Sequence, residues 1–446
     1  MGPLELIIGS AAVAIFAILA WTVISIRAAV LRMRSLRQDF EHSQAMGAQP
    51  ASLHPRINLD KCIGTDACVA ACPETNVIGI VDGQARLANP TACIGHGECL
   101  RACPVGAIEL VIGSETRGVD IPELDTGFET NVPGLFIVGE LGGMGLIYNA
   151  MTQALTCMAR LTKSMPKPIQ NVHQVLIVGA GPAGLAASLA AIEAGLDYVT
   201  IDQESMGGTV LQYPRQKIVM TRAVRLPVYG QLKLSTVKKE DLLELWEDIV
   251  TTAGVQVQGG VQLTALRRDE DGCFTAGTLR DGEAGEIRAQ RVVLALGRRG
   301  TPRKLEIPGE ELSKVTYRLL EPENYAGTKT LVVGGGDSAV EAAIALGEAG
   351  ATVHLAHRRR VFDRIKIKNQ KRLDGAVEAG VVKLLLEASP RSIMESEVEI
   401  KVGEDTRLID NDYVLIFAGG LLPTKLLEDA GVSVRKYHGE VYAPAN

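Results

Sequence analysis

Six of the eight cysteines in this chain of 446 residues lie between Cys62 and Cys103, in two half-repeats of the pattern C-x5-C-x3-C-P. Thiolates at such short, repeated spacing bind iron–sulfur clusters or zinc, and in an oxidising compartment they form disulfides. The six are Cys62, Cys68, Cys72, Cys93, Cys99 and Cys103. Their spacing indicates metal or redox chemistry in this region.

A glycine-rich loop of the form G-x-G-x-x-G follows the apolar segment 174–178 and leads into an alanine-rich helix. Such glycines permit a tight turn, close approach of a pyrophosphate, and close packing of helix on strand. Asp202 ends the next predicted strand, 23 residues after Gly179, where a carboxylate accepts a hydrogen bond from a ribose hydroxyl. The pattern predicts a dinucleotide site, since a mere glycine-rich turn would not explain Asp202. Its candidate residues are Gly179, Gly181, Pro182, Ala183, Gly184, Asp202 and Gln203.

A second loop repeats this pattern at 330–341, with Ala339 in place of the third glycine. His357 stands where a ribose carboxylate is expected, and three arginines follow it. A basic cluster there lacks the carboxylate that favours NAD and supplies charge for the 2′-phosphate of NADP. We therefore predict NADPH as the cofactor, with a solvated basic face as the alternative. The candidate residues are Gly334, Gly336, Asp337, Ser338, Ala339, His357, Arg358 and Arg359.

The cysteine region resembles the bacterial dicluster ferredoxins, whose half-repeats read C-x2-C-x2-C-x3-C-P. Thr65 and His96 stand where that family has the second cysteine of each half. Its crossed connectivity implies a cluster on Cys62, Cys68 and Cys103, and another on Cys72, Cys93 and Cys99 with His96 as fourth ligand. Because threonine is a poor ligand, the first is expected to be 3Fe-4S, or 4Fe-4S capped by Asp66 or water. Zinc and disulfides are the alternatives, although the prolines favour a ferredoxin and a cytoplasmic location disfavours disulfides.

Other segments resemble the thioredoxin reductase-like flavoproteins. Residues 207–209 are similar to their FAD-side loop, and 292–302 to the crossing between their FAD and nicotinamide domains. Segment 130–140 is similar to one that normally lies near the end of those chains, and 417–423 to the piece that leads into it. The resemblance implies a circularly permuted FAD domain; an unrelated hairpin and helix is the alternative. It adds Gly139, Glu140, Gly208, Thr209, Ala295 and Gly297 as candidate cofactor-binding residues.

The redox C-x-x-C of thioredoxin reductases is missing after Ser338, and Cys157 and Cys273 are isolated. The chain is therefore more similar to members without a dithiol, such as ferredoxin–NADP reductases and bacillithiol disulfide reductases. We predict transfer of electrons among NADPH, FAD and two iron–sulfur clusters, with no catalytic acid or base required. The expected partner is a ferredoxin, a cytochrome or a quinone, and a homodimer is left open. A thiol or bacillithiol disulfide reductase with an accessory ferredoxin, and a membrane-tethered redox sensor, are the alternative functions.

Residues 4–26 are apolar with one charge, Glu5, and Arg27, Arg32, Arg34 and Arg37 follow, so we predict a membrane anchor over 4–27. At 1.5 Å per residue a helix of this length spans a bilayer core of about 30 Å. The arginines place the remainder of the chain in the cytoplasm, at the cytoplasmic membrane. A cleaved signal peptide fits less well, because no basic segment precedes the apolar run and no A-x-A site follows it.

The net charge of −6 argues against nucleic acid as a partner. The predicted fold class is α/β, with two Rossmann-like three-layer domains, a small α+β ferredoxin domain and one transmembrane helix. The predicted order is an anchor (4–27), a stalk (28–55), a ferredoxin domain (56–113), the permuted piece (114–165), an FAD domain (172–305), an NADPH domain (306–418) and a return to the FAD domain (419–446).

Overall fold

The computed structural model of the chain describes residues 3–50, 53–74, 76–115, 118–143, 145–211, 218–220, 223–232, 236–298, 302–420 and 423–441. The side chains of residues 3–14, 17, 218–220 and 236 lie outside the description. The chain divides into two compact units, Met1–Gln49 with His54–Leu110, and Pro50–Leu53 with Val111–Asn446. The first unit contains the six clustered cysteines, and the second contains both glycine-rich loops.

The first unit consists of one long helix and of short elements around the cysteine loops. They are α1 (Pro3–Ala45), β1 (His54–Ile57), α2 (Ala67–Ala71), β2 (Ile78–Val81), β3 (Gln84–Leu87), α3 (Glu98–Ala102) and β4 (Ile108–Ile112), of which the last two residues belong to the second unit. Strands β2 and β3 form an antiparallel hairpin that pairs Ile78 with Leu87. The turn residues Asp82 and Gly83 have φ of 53° and 79°, as a two-residue hairpin turn of type I′ requires. The hairpin packs between the two cysteine loops, in one apolar cluster with Cys68 and Cys99.

The carboxyl-terminal part of α1 packs on this hairpin. Leu36 is buried, and a Cβ added to Gly79 would lie 3.2 Å from its side chain, so glycine allows the close contact. Ser43 Oγ donates a hydrogen bond to the carbonyl of Ala88 at 2.8 Å. These contacts fix the end of α1 to the cysteine-bearing fold.

The predicted membrane anchor lies in the amino-terminal part of α1. The side chains of residues 4–14 and Ala17 are outside the described residues, and the described side chains of 15–27 include the exposed apolar groups Phe16, Trp21 and Ile24. Over the side chains that are described, no helix combines the length and the apolar character needed to cross a bilayer. The anchor therefore stays a prediction.

The second unit begins with a sheet that surrounds the first glycine-rich loop. The elements in this part of the chain, which include the strands of that sheet, are β5 (Val119–Pro122), β6 (Leu135–Ile137), α4 (Ile147–Lys163), β7 (His173–Val178), α5 (Pro182–Glu193), β8 (Tyr198–Ile201), β9 (Ile218–Met220), β10 (Val224–Leu226), β11 (Gly230–Leu232), β12 (Thr236–Lys238), α6 (Lys239–Ala253), β13 (Val257–Gln258), β14 (Val261–Arg268), β15 (Phe274–Arg280) and β16 (Glu283–Leu294). The sheet has the order β13-β8-β7-β16-β15-β14, in which the pairs from β13 to β16 are parallel. Helices α4, α5 and α6 cover one face and contribute Met151, Leu189 and Trp246 to its core.

Strand β6 joins this sheet although it precedes β7 in the chain. It pairs in parallel with β16, Leu135 with Val292 and Ile137 with Leu294, while β7 pairs along the same stretch of β16. The residues of β6 are fully buried because they lie within a sheet covered on both faces. The segment that sequence analysis identified as displaced is thus part of the sheet around the first loop.

A second sheet surrounds the other glycine-rich loop. Its elements are β17 (Val315–Thr316), β18 (Lys329–Gly334), α7 (Asp337–Glu348), β19 (Thr352–His357), α8 (Ile367–Glu378), β20 (Val382–Leu386), β21 (Ala388–Ile393), β22 (Glu397–Val402), β23 (Asp405–Asp410) and β24 (Tyr413–Phe417), and α9 (Thr424–Asp429), β25 (Val434–Tyr437) and β26 (Glu440–Val441) follow. The parallel order is β17-β24-β18-β19-β20, with α7 and α8 on one face and the antiparallel sheet β21-β22-β23 on the other. After β24 the chain returns to the first sheet, where Leu427 of α9 packs in the core.

Candidate functional site

A cavity of about 550 Å³ lies at the carboxyl ends of β7, β8 and β16. Parallel sheets bind ligands at this edge, and cofactor sites typically enclose roughly 300–1,000 Å³. Twelve of the residues predicted from the sequence line it: Gly139, Glu140, Gly179, Gly181, Pro182, Ala183, Asp202, Gln203, Gly208, Thr209, Ala295 and Gly297. The first loop and the displaced segment are therefore brought to one site.

The three glycines of the first loop have separate structural roles. Gly179 has a φ of 107°, which side-chain-bearing residues rarely adopt. A Cβ on Gly181 would meet nothing nearer than Gly208 Cα at 3.8 Å, so the backbone is open to a ligand there. A Cβ on Gly184 would lie 1.7 Å from the carbonyl oxygen of Gly179. Gly184 therefore packs helix α5 against the loop and does not line the cavity.

Asp202 ties together the two loops at the rim of the cavity. Its Oδ2 accepts a hydrogen bond from the Ala180 N–H at 2.7 Å, and its Oδ1 accepts one from the Glu204 N–H at 2.8 Å. Burial raises the pKa of the Asp202 carboxyl, while the two backbone donors act in the opposite direction. Because a carboxylate has about four acceptor positions, it can still accept from a ribose hydroxyl.

The displaced segment supplies the opposite wall. After β6 the chain turns at Gly139, whose φ is 81°, and helix α4 then begins at Ile147. Gly145, Leu146, Ile147 and Ala150 line the cavity, and the N-cap residue of α4, Leu146, makes no side-chain hydrogen bond to the first turn. The positive end of the helix dipole thus faces the cavity, where it favours negative charge on a ligand.

Sequence analysis missed Gln153, which holds this turn in place. Gln153 is 5% exposed on α4, and its Oε1 accepts a hydrogen bond from the Gly139 N–H at 2.8 Å. The available signal was a glutamine within the buried apolar stripe of an amphipathic helix, beside Met151 and Ala154. Gln153 is a positioning residue, since its contact with the site runs through the backbone of Gly139.

The second loop leaves one glycine open and packs another tightly. A Cβ on Gly336 would meet nothing within 4 Å, so this position is open to a ligand. A Cβ on Gly335 would lie 2.1 Å from Cε1 of His357. Asp337 Oδ1 accepts hydrogen bonds from the Lys366 N–H and from Asn369 Nδ2, at 2.9 and 2.7 Å. Asp337 therefore joins the loop to the start of α8.

His357 is buried against the second loop. Its ring stacks on Phe362 with centroids 4.4 Å apart, and Nε2 lies 3.1 Å from the carbonyl oxygen of Val361. Burial lowers the pKa of His357, and Arg358 and Arg359 add to that effect. The neutral ring thus donates to Val361 and shapes the loop, because its Nε2 must carry the hydrogen to bond a carbonyl.

The three arginines after His357 are in different situations. Arg359 forms an ion pair with Asp363, and Arg360 forms one with Glu387 at 2.9 Å. Arg358 is exposed, and no ion pair involves it within the part of the chain that the structure describes. Of the two arginines predicted to meet a 2′-phosphate, Arg358 is available and Arg359 is shared with a carboxylate.

The six clustered cysteines form two groups in the crossed arrangement. Cys62, Cys68 and Cys103 surround one small cavity together with Thr65, and Cys72, Cys93 and Cys99 surround another together with His96. The Ala85 N–H donates to Cys62 Sγ at 3.4 Å, and the Ala107 N–H donates to Cys103 Sγ at 3.2 Å. All eight cysteines are free thiols.

Among the described residues, no three histidine, cysteine, aspartate or glutamate side chains lie close enough to hold one ion. A cluster is larger than an ion, so its ligands stand further apart. Burial raises the pKa of Cys93 to about 11 and that of Cys99 to about 12. Metal binding must displace these protons, because the thiolate is the ligand.

Comparison with known proteins identifies both parts of the chain. Residues 176–445 match the family described as pyridine nucleotide-disulphide oxidoreductase, and residues 54–104 match the 4Fe-4S dicluster domain. A ferredoxin–NADP reductase of Ignicoccus hospitalis is 29% identical over 272 residues, which are 59% of this chain and 83% of that protein. The bacilliredoxin reductase Bdr of Bacillus subtilis is 24% identical over 276 residues, which are 60% of this chain and 84% of that protein.

Solved structures agree on the fold. The bacillithiol disulfide reductase Bdr of Staphylococcus aureus superposes with a TM-score of 0.51 at 23% identity, covering 59% of this chain and 81% of that chain. The predicted α/β dinucleotide-binding fold is thereby confirmed, and so are the two resemblances stated from the sequence.

Proposed function

The chain belongs to the pyridine nucleotide-disulphide oxidoreductase family, and on that premise we propose a path for electrons through it. It is a flavin-dependent NAD(P)H oxidoreductase with a 4Fe-4S domain. The proposed path runs from NADPH to FAD, then to two iron–sulfur clusters, and then to a redox partner. The proposal is carried by the occurrence, in one chain, of the 550 Å³ cavity and the two groups of three cysteines.

The residues around the first cavity fit FAD. Gly181 leaves room for a pyrophosphate, Asp202 is placed to accept from a ribose hydroxyl, and the start of α4 favours negative charge on the flavin ring. Glu140 is the residue we assign to the ribityl chain. We infer that the displaced segment completes a circularly permuted FAD domain, which the pairing of β6 with β16 supports.

The second loop fits NADPH. Gly336 is open to the pyrophosphate, and the exposed Arg358 is placed to pair with the 2′-phosphate. FAD, when bound, accepts a hydride and passes single electrons to one-electron carriers. The chain's own residues bind and orient the two cofactors, and no side chain need transfer a proton.

The electron path is tested by anaerobic addition of NADPH to the purified full-length protein. We expect the flavin absorbance to bleach and an EPR signal from reduced clusters to appear. The double variant Cys72→Ser/Cys99→Ser should keep the flavin bleaching and lose the signal of one cluster. The control variant Cys273→Ala should keep the bleaching and the signals of both clusters. Flavin that bleaches fully in the wild type while all clusters stay oxidised would contradict the proposal.

We also propose that the chain is anchored in the cytoplasmic membrane by 4–27, with its two units in the cytoplasm. The apolar run, the arginines after it and the exposed Phe16, Trp21 and Ile24 support this. Full-length protein should sediment with membranes, and a variant without residues 1–27 should be released while keeping its FAD. Full-length protein that stays in the high-speed supernatant would show that the anchor is wrong.

A disulfide reductase is the second candidate, favoured by the similarity to the bacilliredoxin reductase Bdr. NADPH consumption with a low-molecular-weight disulfide, unchanged by loss of the clusters in Cys72→Ser/Cys99→Ser, would support it over the electron path.

A further inference from the structure

The two cysteine loops follow the same backbone path. Gly64 and Gly95 have φ of 68° and 78°, and Asp66 and Gly97 have φ of 63° and 76°. Each loop then enters a five-residue helix that ends directly before the last cysteine of its half-repeat. Thr65 and His96 therefore occupy equivalent positions, each beside three cysteines.

The fourth corner of the second group is enclosed. His96 is half-buried, and the glycines on both sides of it, Gly95 and Gly97, are buried. An imidazole nitrogen binds iron, and it replaces thiolate in some iron–sulfur centres. This corner can be closed by the chain itself.

The fourth corner of the first group is open. Thr65 and Asp66 are exposed, and Ile63 is 67% exposed. The opposite side of the loop is fixed, because a Cβ on Gly64 would lie 2.2 Å from the carbonyl oxygen of Gly83. The loop thus rests on the hairpin and presents Thr65 to solvent.

Among the described residues that line the cavity of the first group, the three cysteines are the soft ligands, and none of the others can supply one at the fourth corner. A threonine hydroxyl is a hard, neutral oxygen, which suits cluster iron poorly compared with thiolate. Asp66 is the one acidic residue in the loop, and its side chain makes no hydrogen bond to the first turn of α2. Asp66 has a left-handed backbone conformation, as Gly97 has at the equivalent position of the other half-repeat. This conformation is uncommon for a residue that carries a side chain.

We propose that Cys62, Cys68 and Cys103 would hold a four-iron cluster whose fourth iron is open at the exposed Thr65 corner, and that a small thiol binds this iron. Cluster iron prefers sulfur. The exposed Ile63 and Val105 give the carbon chain of a thiol an apolar surface. The exposed carboxylates of Asp60 and Asp66 disfavour a multiply charged anion such as phosphate.

The binding step is a ligand exchange without electron transfer. With the cluster bound, the thiol would release its proton to solvent and its sulfur would bond to the fourth iron in place of a water ligand, which would leave to solvent. The inference rests on the proposed clusters but not on the proposed electron path, because the cluster can be reduced chemically.

The test compares EPR spectra of the dithionite-reduced full-length protein with and without 2-mercaptoethanol. We expect one of the two cluster signals to shift in a saturable way. Thr65→Cys should abolish the shift, because an internal thiolate then fills the corner, and the matched variant His96→Cys should retain it. Absence of any shift, a shift that survives Thr65→Cys, or a shift lost in His96→Cys would each overturn the proposal.

Asp66→Gly separates an open corner from one closed by aspartate. The variant should respond to the thiol as the wild type does, since Gly97 shows that glycine suits this backbone. A response that appears only in Asp66→Gly would show that Asp66 is the native ligand and would overturn the proposal. Iron and sulfide content confirm cluster loading in every sample, and NADPH bleaching of the same samples reports separately on the proposed function.

Discussion

The two dinucleotide-binding units share a backbone pattern and use the residue at the end of the second strand in opposite ways. In the first unit Asp202 points to the rim of the cavity and accepts two backbone N–H groups. In the second unit His357, at the same distance of 23 residues from the first glycine, packs inward against Gly335. The position thus lines the cavity in one unit and supports the loop in the other, where the exposed Arg358 is the residue that we propose binds the cofactor.

The two units also differ at the third glycine of the loop motif, which only the first unit keeps. Gly184 cannot carry a Cβ, because the carbonyl of Gly179 lies 1.7 Å from where it would be, whereas Ala339 occupies the equivalent position of the second unit and is fully buried. The first helix therefore approaches its loop more closely. A shared motif does not imply a shared tolerance to substitution.

The largest expected effect is at Asp202. Asp202→Ala removes two charge-assisted hydrogen bonds at about 1.5–3 kcal/mol each, together with the acceptor for the ribose. We expect loss of FAD and a lower melting temperature, measured by flavin content and thermal unfolding. Asp202→Asn, which keeps one acceptor oxygen, should lose less. Full FAD content in Asp202→Ala would remove the distinction between the two units.

The next effect is on the choice of nicotinamide cofactor. Arg358→Ala should raise KM for NADPH roughly 10- to 100-fold, as expected for loss of a charge-assisted contact of about 1.5–3 kcal/mol. Arg359→Ala should have a smaller effect, because Asp363 already pairs with Arg359. KM for NADH is the control and should change little. Equal changes in KM for NADPH and NADH would contradict the assignment of the 2′-phosphate site.

Adjacent glycines of the second loop provide a matched pair. Gly335→Ala should destabilise the cofactor-free protein by about 1–3 kcal/mol, because its methyl group meets the ring of His357. Gly336→Ala should leave the melting temperature unchanged and weaken NADPH binding, since its position is open and faces the cofactor. If the two variants behave alike, His357 does not support the loop.

The smallest effect concerns pH. Burial lowers the pKa of His357, so below about 6.5 the unfolded state binds more protons than the folded state. The free energy of unfolding should therefore decrease as the pH is lowered below about 6.5, by at most about 1.4 kcal/mol per pH unit. His357→Gln should flatten this dependence between pH 5.5 and 7. His354 is the comparison, because burial lowers its pKa too. His354→Gln should therefore keep the pH dependence that comes from His357.

Local patterns were enough to predict much of the site. The glycine-rich loops, Asp202 and the grouping of the cysteines follow from short spacings whose backbone geometry is nearly fixed. The displaced segment around Gly139 and Glu140 was found because its residues keep their order although their place in the chain has changed, and these residues line the predicted cavity.

Partners brought together by tertiary contacts were not predicted. The sequence shows the positive charge of Arg359 but not that Asp363 neutralises it, and it shows His357 but not its stacking on Phe362. The hydrogen bond from the Gly139 N–H to Gln153 depends on how α4 packs. The hydrogen bond from the Lys366 N–H to Asp337 depends on where α8 begins. Such contacts are determined by packing between elements, and no spacing of residues in the sequence indicates them.

The place of β6 in the first sheet has a consequence for synthesis on the ribosome. Within the sheet, Leu135, Phe136 and Ile137 pair with Val292–Leu294, so β6 leaves the ribosome long before its partner in the sheet exists. At about 5–20 residues per second the nascent chain carries this apolar strand without its partner in the sheet for roughly 8–30 s. A chaperone that recognises short apolar segments has its best opportunity in that interval, whereas the cysteine-bearing unit, complete by Leu110, is free to fold first.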